Sequence, residues 1–208
     1  LADARDDVDG CIDYFQSYLD TAEKHLAPEV TFEDDAELHV VYREPRGVVA
    51  SIIPWNFPLA NFVWGCGQSL VAGNCVVMKH SEEVPLFGKL LEEVINSAGL
   101  PEGVFQVVHG DGSIGKILAE SDVDMITFTG STRTGKELYK NAADKFIPFL
   151  PELGGSAPGI VFEDCDVDAV LDTIYANRFS SAGQMCDALK RLIVHESKLE
   201  EVTQKLAE

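Results

Sequence analysis

Positive charge is scarce in this sequence. Of its 208 residues only 16 are Lys or Arg, against 35 Asp or Glu, for a formal net charge of −19. Phosphate-backbone recognition needs clustered cations, and a surplus of this size repels polyanions at long range. Nucleic acid is therefore excluded as a partner, and anionic membrane surfaces with it. Metal-ligand patterns are missing too. The five histidines (His25, His39, His80, His109, His195) are scattered and form no H-E-x-x-H, which argues against zinc and leaves no metal expected. The five cysteines (Cys11, Cys66, Cys75, Cys165, Cys186) contain no C-x-x-C pair. An odd, sparse set fits a reducing cytosol, so a cytoplasmic location is expected. No secretory leader is legible, since charge begins at Asp3. There is no internal repeat and no low-complexity tract. One run, 47–78, holds 32 residues without a charge. It is long enough to cross a membrane, but Pro54, Asn56, Pro58, Asn61 and Gln68 would break a lipid-exposed helix. It reads instead as a buried strand, a turn and a buried helix.

What is present is globular composition, 46% apolar and 25% charged. The opening segment predicts a helix whose inner face is Val8, Ile12, Phe15, Leu19, Ala22 and Leu26. Residues 37–42 predict a strand. Then strands and helices alternate: a strand over 47–53, a helix over 59–72, a strand over 75–79, a helix over 85–98. Strands at 104–108 and 124–128 follow, with helices at 113–120 and 132–143. Gly99 and Pro101 close the third helix of the chain. Near-continuous apolar strands alternating with helices predict an α/β fold, a parallel sheet covered on both faces. Ligands of such sheets bind at the carboxyl ends of the strands. The rhythm breaks after Phe149, and a domain change is expected near Gly154-Gly155, giving domains 1–154 and 155–208. In the second, a strand over 159–162, a helix over 167–179 and a strand over 191–195 are expected.

Several turns carry residues suited to chemistry. Pro54-Trp55-Asn56-Phe57-Pro58 follows a strand directly, and two prolines restrict the backbone around one amide that could donate to an oxyanion. The alternative is a tight turn whose Asn caps its own backbone. At the next strand end, Lys79, Ser81 and Glu82 could bind ribose hydroxyls or simply open a helix. Gly110-x-Gly112-x-x-Gly115 formally matches a dinucleotide fingerprint, but at the third strand of the series rather than the first. Phe128-Thr-Gly130-Ser131 leads from strand into helix, where free N–H groups could hold a pyrophosphate. Glu152, before Leu153-Gly154-Gly155, is an acid in an apolar setting and a candidate general base. Cys186 follows a Gly-Gln turn. Cys66 and Cys75 lie inside apolar elements, Cys11 lies in an acidic helix, and Cys165 is flanked by two aspartates. Cys186 is therefore the best nucleophile of the five.

Taken in order, Pro54-Trp-Asn-Phe-Pro58, Lys79-x-Ser-Glu82, Gly99-Leu-Pro-x-Gly103-Val, Phe128-Thr-Gly-Ser-Thr132, Glu152-Leu-Gly-Gly155 and Gly183-Gln-x-Cys186 resemble the aldehyde dehydrogenase superfamily. The resemblance covers essentially the whole chain. It implies a Rossmann-like cofactor domain that dispenses with the usual glycine fingerprint, and the start of a catalytic domain. It implies NAD-dependent oxidation of an aldehyde, or a semialdehyde, to the acid. Cys186 would attack the carbonyl, Asn56 and the Cys186 N–H would hold the oxyanion, and Glu152 would activate water. NAD would lie against Ile53, Pro54, Trp55, Lys79, Ser81, Glu82, Gly110, Gly115, Phe128, Gly130, Ser131, Leu153 and Gly154. Glu82 at the ribose would favour NAD over NADP by repelling the extra phosphate. The family also implies a homo-oligomer, with 37–46 as a candidate oligomerisation strand. Four positions depart from the family's habit: His80, Ser156, Asp187 and Leu189. Family members are more than twice as long, so the chain is expected to be an internal fragment. A cofactor-binding or interaction module without turnover is the alternative.

Overall fold

A computed structural model of the chain describes residues 2–207. The chain divides into two compact units, residues 1–152 and 153–208.

The first unit opens with α1 (Ala2–Leu26) and an antiparallel hairpin, β1 (Glu29–Glu33) and β2 (Leu38–Val41). Its centre is a five-stranded, wholly parallel sheet. The strands are β3 (Val48–Ile52), β4 (Cys75–Lys79), β5 (Phe105–Val108), β6 (Met125–Thr129) and β7 (Phe149–Glu152), in the spatial order β5-β4-β3-β6-β7. The connecting helices are α2 (Pro58–Phe62), α3 (Gln68–Val71), α4 (Pro85–Ser97), α5 (Gly112–Glu120) and α6 (Thr132–Lys145). Val49, Ala50, Val76, Met78 and Ile126 are fully buried, as central strands covered on both faces require. The charge-free run is thus β3, a turn, α2, α3 and β4, and no described helix is long and apolar enough to cross a membrane.

The register lines up one residue from each strand near its carboxyl end: Val108, Lys79, Ile52, Phe128 and Pro151. The chain leaves β3 toward β4 and β5, then returns to place β6 on the other side of β3. That reversal makes a switch point between β3 and β6, the usual mouth of a ligand crevice in such sheets.

The structure corrects four details. The inner face of α1 is Cys11, Phe15, Tyr18 and Ala22, while Val8, Ile12 and Leu19 are exposed. Phe15 meets Phe62 at 5.9 Å, and Gln68 Nε2 donates to the Tyr18 hydroxyl at 3.0 Å. Two apolar stripes of similar period compete on this helix, and the aromatic one wins because its partners on α2 and α3 are aromatic and amide. The long helix expected over 59–72 carries a π-helical turn at Val63–Gly67. There the Gly65 carbonyl accepts from Ser69 Oγ and Thr127 Oγ1, each at 3.4 Å. The other two details are strands that periodicity misses. β1 is solvent-exposed along its length, and β7 is an edge strand interrupted by Pro151, which an edge tolerates.

α6 ends on Phe146 in the left-handed conformation (φ 58°, ψ 35°), with the ring 97% exposed. That backbone costs an L-residue about 1–2 kcal/mol and costs glycine little. Phe146→Gly is expected to stabilise the chain by about 0.5–1 kcal/mol after the entropy of the freer unfolded chain is deducted. A rise in the urea midpoint at unchanged slope would show it.

The second unit holds a two-stranded parallel sheet, β8 (Ala157–Val161) and β9 (Leu189–Val194), with α7 (Val167–Phe179) and α8 (Leu199–Ala207). Val161, Val167 and Val202 form its small core. Asp166 caps α7, accepting from the N–H groups of Asp168 and Ala169.

Candidate active site

The first unit gathers most of the singled-out residues at one end of its sheet, just past the aligned carboxyl-end row. β3 runs out through Ile53 and Pro54 to Trp55 and Asn56. Ile53 is buried and its N–H donates to the Lys79 carbonyl at 3.0 Å. Trp55 is 43% exposed beside the switch point, and Asn56 is half-buried. Pro58 stands at the first position of α2, where its missing N–H costs nothing.

β4 ends on Lys79, which is 4% exposed. Burying an ammonium requires a partner, and Glu82 supplies it at 2.9 Å, with its own carboxylate half-exposed. The backbone N–H of Glu82, and then the Lys79 ammonium, hold the Glu82 carboxyl below the usual range. The sign follows: this contribution to stability is complete above the unfolded carboxyl value and is lost as pH falls through the lowered folded value. Ser81 is buried, and its Oγ accepts from the Glu83 N–H at 3.3 Å.

The two glycine turns differ. At α5 the N-cap is a carboxylate: Asp111 accepts from the Ser113 N–H and Oγ, which hold it below the usual carboxyl range. Gly110 has φ 142°, and a Cβ there would meet the Ile114 side chain at 2.4 Å. Gly115 is buried against Lys79 and Ile52, so it serves the close helix–sheet contact. At α6 the N-cap is neutral: Ser131 Oγ accepts from the Thr134 N–H. Gly130 donates to the Glu152 carbonyl at 2.9 Å, and a Cβ on it would sit 2.5 Å from the Phe128 ring. Phe128 is buried, its ring folded against Gly130.

Glu152 is the last residue of β7 and is solvent-exposed. The apolar setting that its neighbours suggest in sequence is not found within its own unit, because edge strand β7 leaves Leu150, Pro151 and Glu152 exposed.

The remaining candidates belong to the second unit. Leu153 is half-buried and Gly154 exposed. Cys186 is exposed, whereas Cys11 and Cys66 are buried and Cys75 and Cys165 intermediate. The approach to Cys186 is a left-handed run: Ser181 (φ 49°), Ala182 (φ 56°) and Gly183 (φ 74°). Two of these are not glycine, and such backbone persists only where its surroundings enforce it. Here the enforcement is visible. The Gln184 backbone N–H and side-chain Nε2 both donate to the Ser181 carbonyl, at 3.2 and 2.8 Å. Lys190 Nζ donates to the carbonyls of Gly155 (2.6 Å) and Cys186 (3.4 Å), and Arg191 donates to the Ser156 carbonyl. A Cβ on Gly155 would lie 2.6 Å from the Cys186 carbonyl oxygen. Gly155 and Lys190 therefore hold the cysteine loop. In the sequence Gly155 reads only as part of a motif, and its contact with Lys190 spans 35 residues.

The model of the aldehyde dehydrogenase family matches residues 1–208. A 2-hydroxymuconic semialdehyde dehydrogenase of Pseudomonas sp. (strain CF600) is 43% identical over 190 residues, 88% of this chain and 39% of that protein. An NADP/NAD-dependent aldehyde dehydrogenase of Escherichia coli K12 is 42% identical over 201 residues, 95% of this chain and 40% of that protein. Among solved structures, an aldehyde dehydrogenase of Mycobacterium tuberculosis complexed with NAD+ superposes with a TM-score of 0.88 at 35% identity, covering 95% of this chain and 40% of that one. A γ-glutamyl-γ-aminobutyraldehyde dehydrogenase of Burkholderia cenocepacia J2315 gives 0.92 at 41% identity, covering 97% and 41%. The chain thus spans about two-fifths of the length of these relatives. With a parallel sheet whose strand ends collect the cofactor-type turns, and a cysteine loop pinned on both sides, the chain belongs to the aldehyde dehydrogenase family.

Proposed function

We propose that the protein to which this chain corresponds oxidises an aldehyde to its carboxylic acid with NAD, and that Cys186 is the nucleophile. The observation that carries this reading is the exposure of Cys186 alone among the five thiols, on a loop held from both sides.

The residues at the strand ends fit a dinucleotide. Glu82 offers a half-exposed, ionised carboxylate fixed by Lys79, suited to accept from ribose hydroxyls. The neutral Ser131 cap leaves the start of α6 open to a pyrophosphate, whereas the Asp111 carboxylate at α5 would repel one. The NAD-bound M. tuberculosis relative supports the same cofactor. NAD, when bound, supplies the hydride acceptor. The Cys186 thiolate adds to the carbonyl carbon, and the Asn56 amide and the Cys186 N–H hold the resulting oxyanion. Loss of hydride from this hemithioacetal leaves a thioester on the Sγ. Glu152 takes a proton from water, whose oxygen adds to the thioester carbon and expels the thiolate, giving the acid. A semialdehyde is one candidate substrate, in line with the Pseudomonas relative. Assembly into oligomers belongs to the same reading, and the β1–β2 hairpin exposes Val30, Phe32, Leu38 and Val41 for it.

The test is NADH formation by the 208-residue chain with NAD and a panel of aldehydes and semialdehydes. Sustained turnover supports the full reading. A burst equal to the enzyme concentration would mean that acylation proceeds and release fails. A folded chain that binds NAD but forms none would stand as a cofactor-binding module. Glu82→Gln is expected to weaken NAD binding about tenfold, the usual loss for a charge-assisted hydrogen bond, and to narrow the margin over NADP. Calorimetric titration with both nucleotides measures it.

A further inference from the structure

The turn after β4 holds an arrangement that the cofactor reading leaves unused. His80 sits between Lys79 and Ser81 and is 1% exposed. Its Nδ1 lies 2.7 Å from the Ser81 carbonyl oxygen. Its Nε2 lies 2.9 Å from Nδ1 of His109, on the loop after β5. A carbonyl only accepts, so His80 Nδ1 carries a hydrogen. Burial above all, and then the neighbouring His109 and Lys79, keep the His80 imidazole below its ordinary range, so the ring is neutral and its Nε2 is bare. His109 Nδ1 must then be the donor. A single directed relay results, from His109 to His80 to the Ser81 carbonyl, and that same carbonyl also accepts from the Val84 N–H at 3.2 Å.

The ring is confined on its other side as well. A Cβ on Gly88 of α4 would lie 2.0 Å from His80 Cδ2 and 2.2 Å from Nε2, so glycine is what admits the imidazole there. The relay therefore ties together the start of α4, the end of β4 and the loop after β5.

We propose that His80 and His109 are positioning residues, a latch that sets the Lys79–Glu82 turn and thereby the affinity for the cofactor. The proposal rests on the reading of Lys79 and Glu82 as ribose-binding residues and extends it to two histidines outside the residues assigned to NAD.

Three measurements on the 208-residue chain test it. Long-range 1H–15N correlation should show His80 as the Nδ1–H tautomer with a bare Nε2, and a hydrogen on His109 Nδ1. Calorimetric titration with NAD should give a dissociation constant about tenfold higher for His109→Ala and within about twofold for His109→Asn, whose side-chain amide can replace the Nδ1 donor. Amide hydrogen exchange at residues 80–83 should quicken about tenfold in His109→Ala and not in His109→Asn. His109 is exposed, so the alanine variant removes the donor without opening the core. An Nε2–H tautomer for either ring, or NAD binding and exchange in His109→Ala equal to those of the parent, would overturn the latch. If the parent chain fails to bind NAD, the ribose reading falls, and tautomers and exchange decide the latch alone.

Discussion

Replacing Cys186 by alanine is expected to lower NADH formation by about 10⁴-fold or more, the scale on which loss of a nucleophile acts. Neither Cys66 nor Cys11 can substitute. Burial pushes the Cys66 thiol up to about 12. Burial, with the nearby Asp7 carboxylate, pushes Cys11 up to about 11. At pH 8 the thiolate fractions that follow are about 10⁻⁴ and about 10⁻³, and the thiolate is the reactive form. Cys186 faces solvent, while these two are buried. The same ordering can be read without turnover. Iodoacetamide at pH 8, followed by peptide mass spectrometry, should label Cys186 well before Cys11 and Cys66. Below their raised values, each unit of pH should speed labelling of Cys11 and Cys66 about tenfold, because the thiolate fraction rises by that factor. Labelling that begins at Cys66, or full turnover in Cys186→Ala, would defeat the assignment of the nucleophile.

Phe62→Ala is expected to cost about 3–5 kcal/mol, the range for deleting a buried phenyl ring. Phe62 is 1% exposed, stands 5.5 Å from Phe105 edge-to-face and 5.9 Å from Phe15, and so joins β5 to α1 through α2. For a chain of this length the melting temperature should fall by about 6–20 °C. A control separates the two stripes of α1. Ile12→Ala, at a position 61% exposed, should change stability by no more than about 0.5 kcal/mol, whereas Phe15→Ala should follow Phe62→Ala. Equal losses at Ile12 and Phe15 would show that the assigned inner face of α1 is wrong. Urea unfolding of the three variants, compared at a common slope, makes the measurement.

Much of this chain is legible before it folds, for local reasons. β4 spans Cys75–Lys79 as its apolar run predicts, and α7 spans Val167–Phe179 as its pattern predicts. Continuous apolar strands between helices can be buried only in a parallel sheet, and such a sheet delivers each following turn to the same end. That is why Asn56, Glu82 and Ser131, far apart in sequence, could be picked out as strand-end residues from the chain alone. The exposure of Cys186 likewise follows from a Gly-Gln turn, a local signal.

What sequence could not settle is whatever depends on a partner distant along the chain. The inner face of α1 read from periodicity is the wrong one of two stripes that share Phe15 and Ala22, and only contact with Phe62 and Gln68 chooses between them. β7 carries no periodic signal, because an edge strand has one neighbour and its Pro151 is tolerated only there. Glu152 looked apolar in its surroundings because Leu and Gly follow it, but an edge position leaves it in solvent. His80 read as a departure from a family habit. It becomes a relay only when β5, the next strand along the chain and the neighbour of β4 in the sheet, brings His109 within 2.9 Å, and when Gly88 leaves room for the ring. Periodicity and turn chemistry are written in neighbouring residues and survive without the fold. Which donor meets which acceptor across 29 residues is set by strand order and register, and no window of sequence contains it.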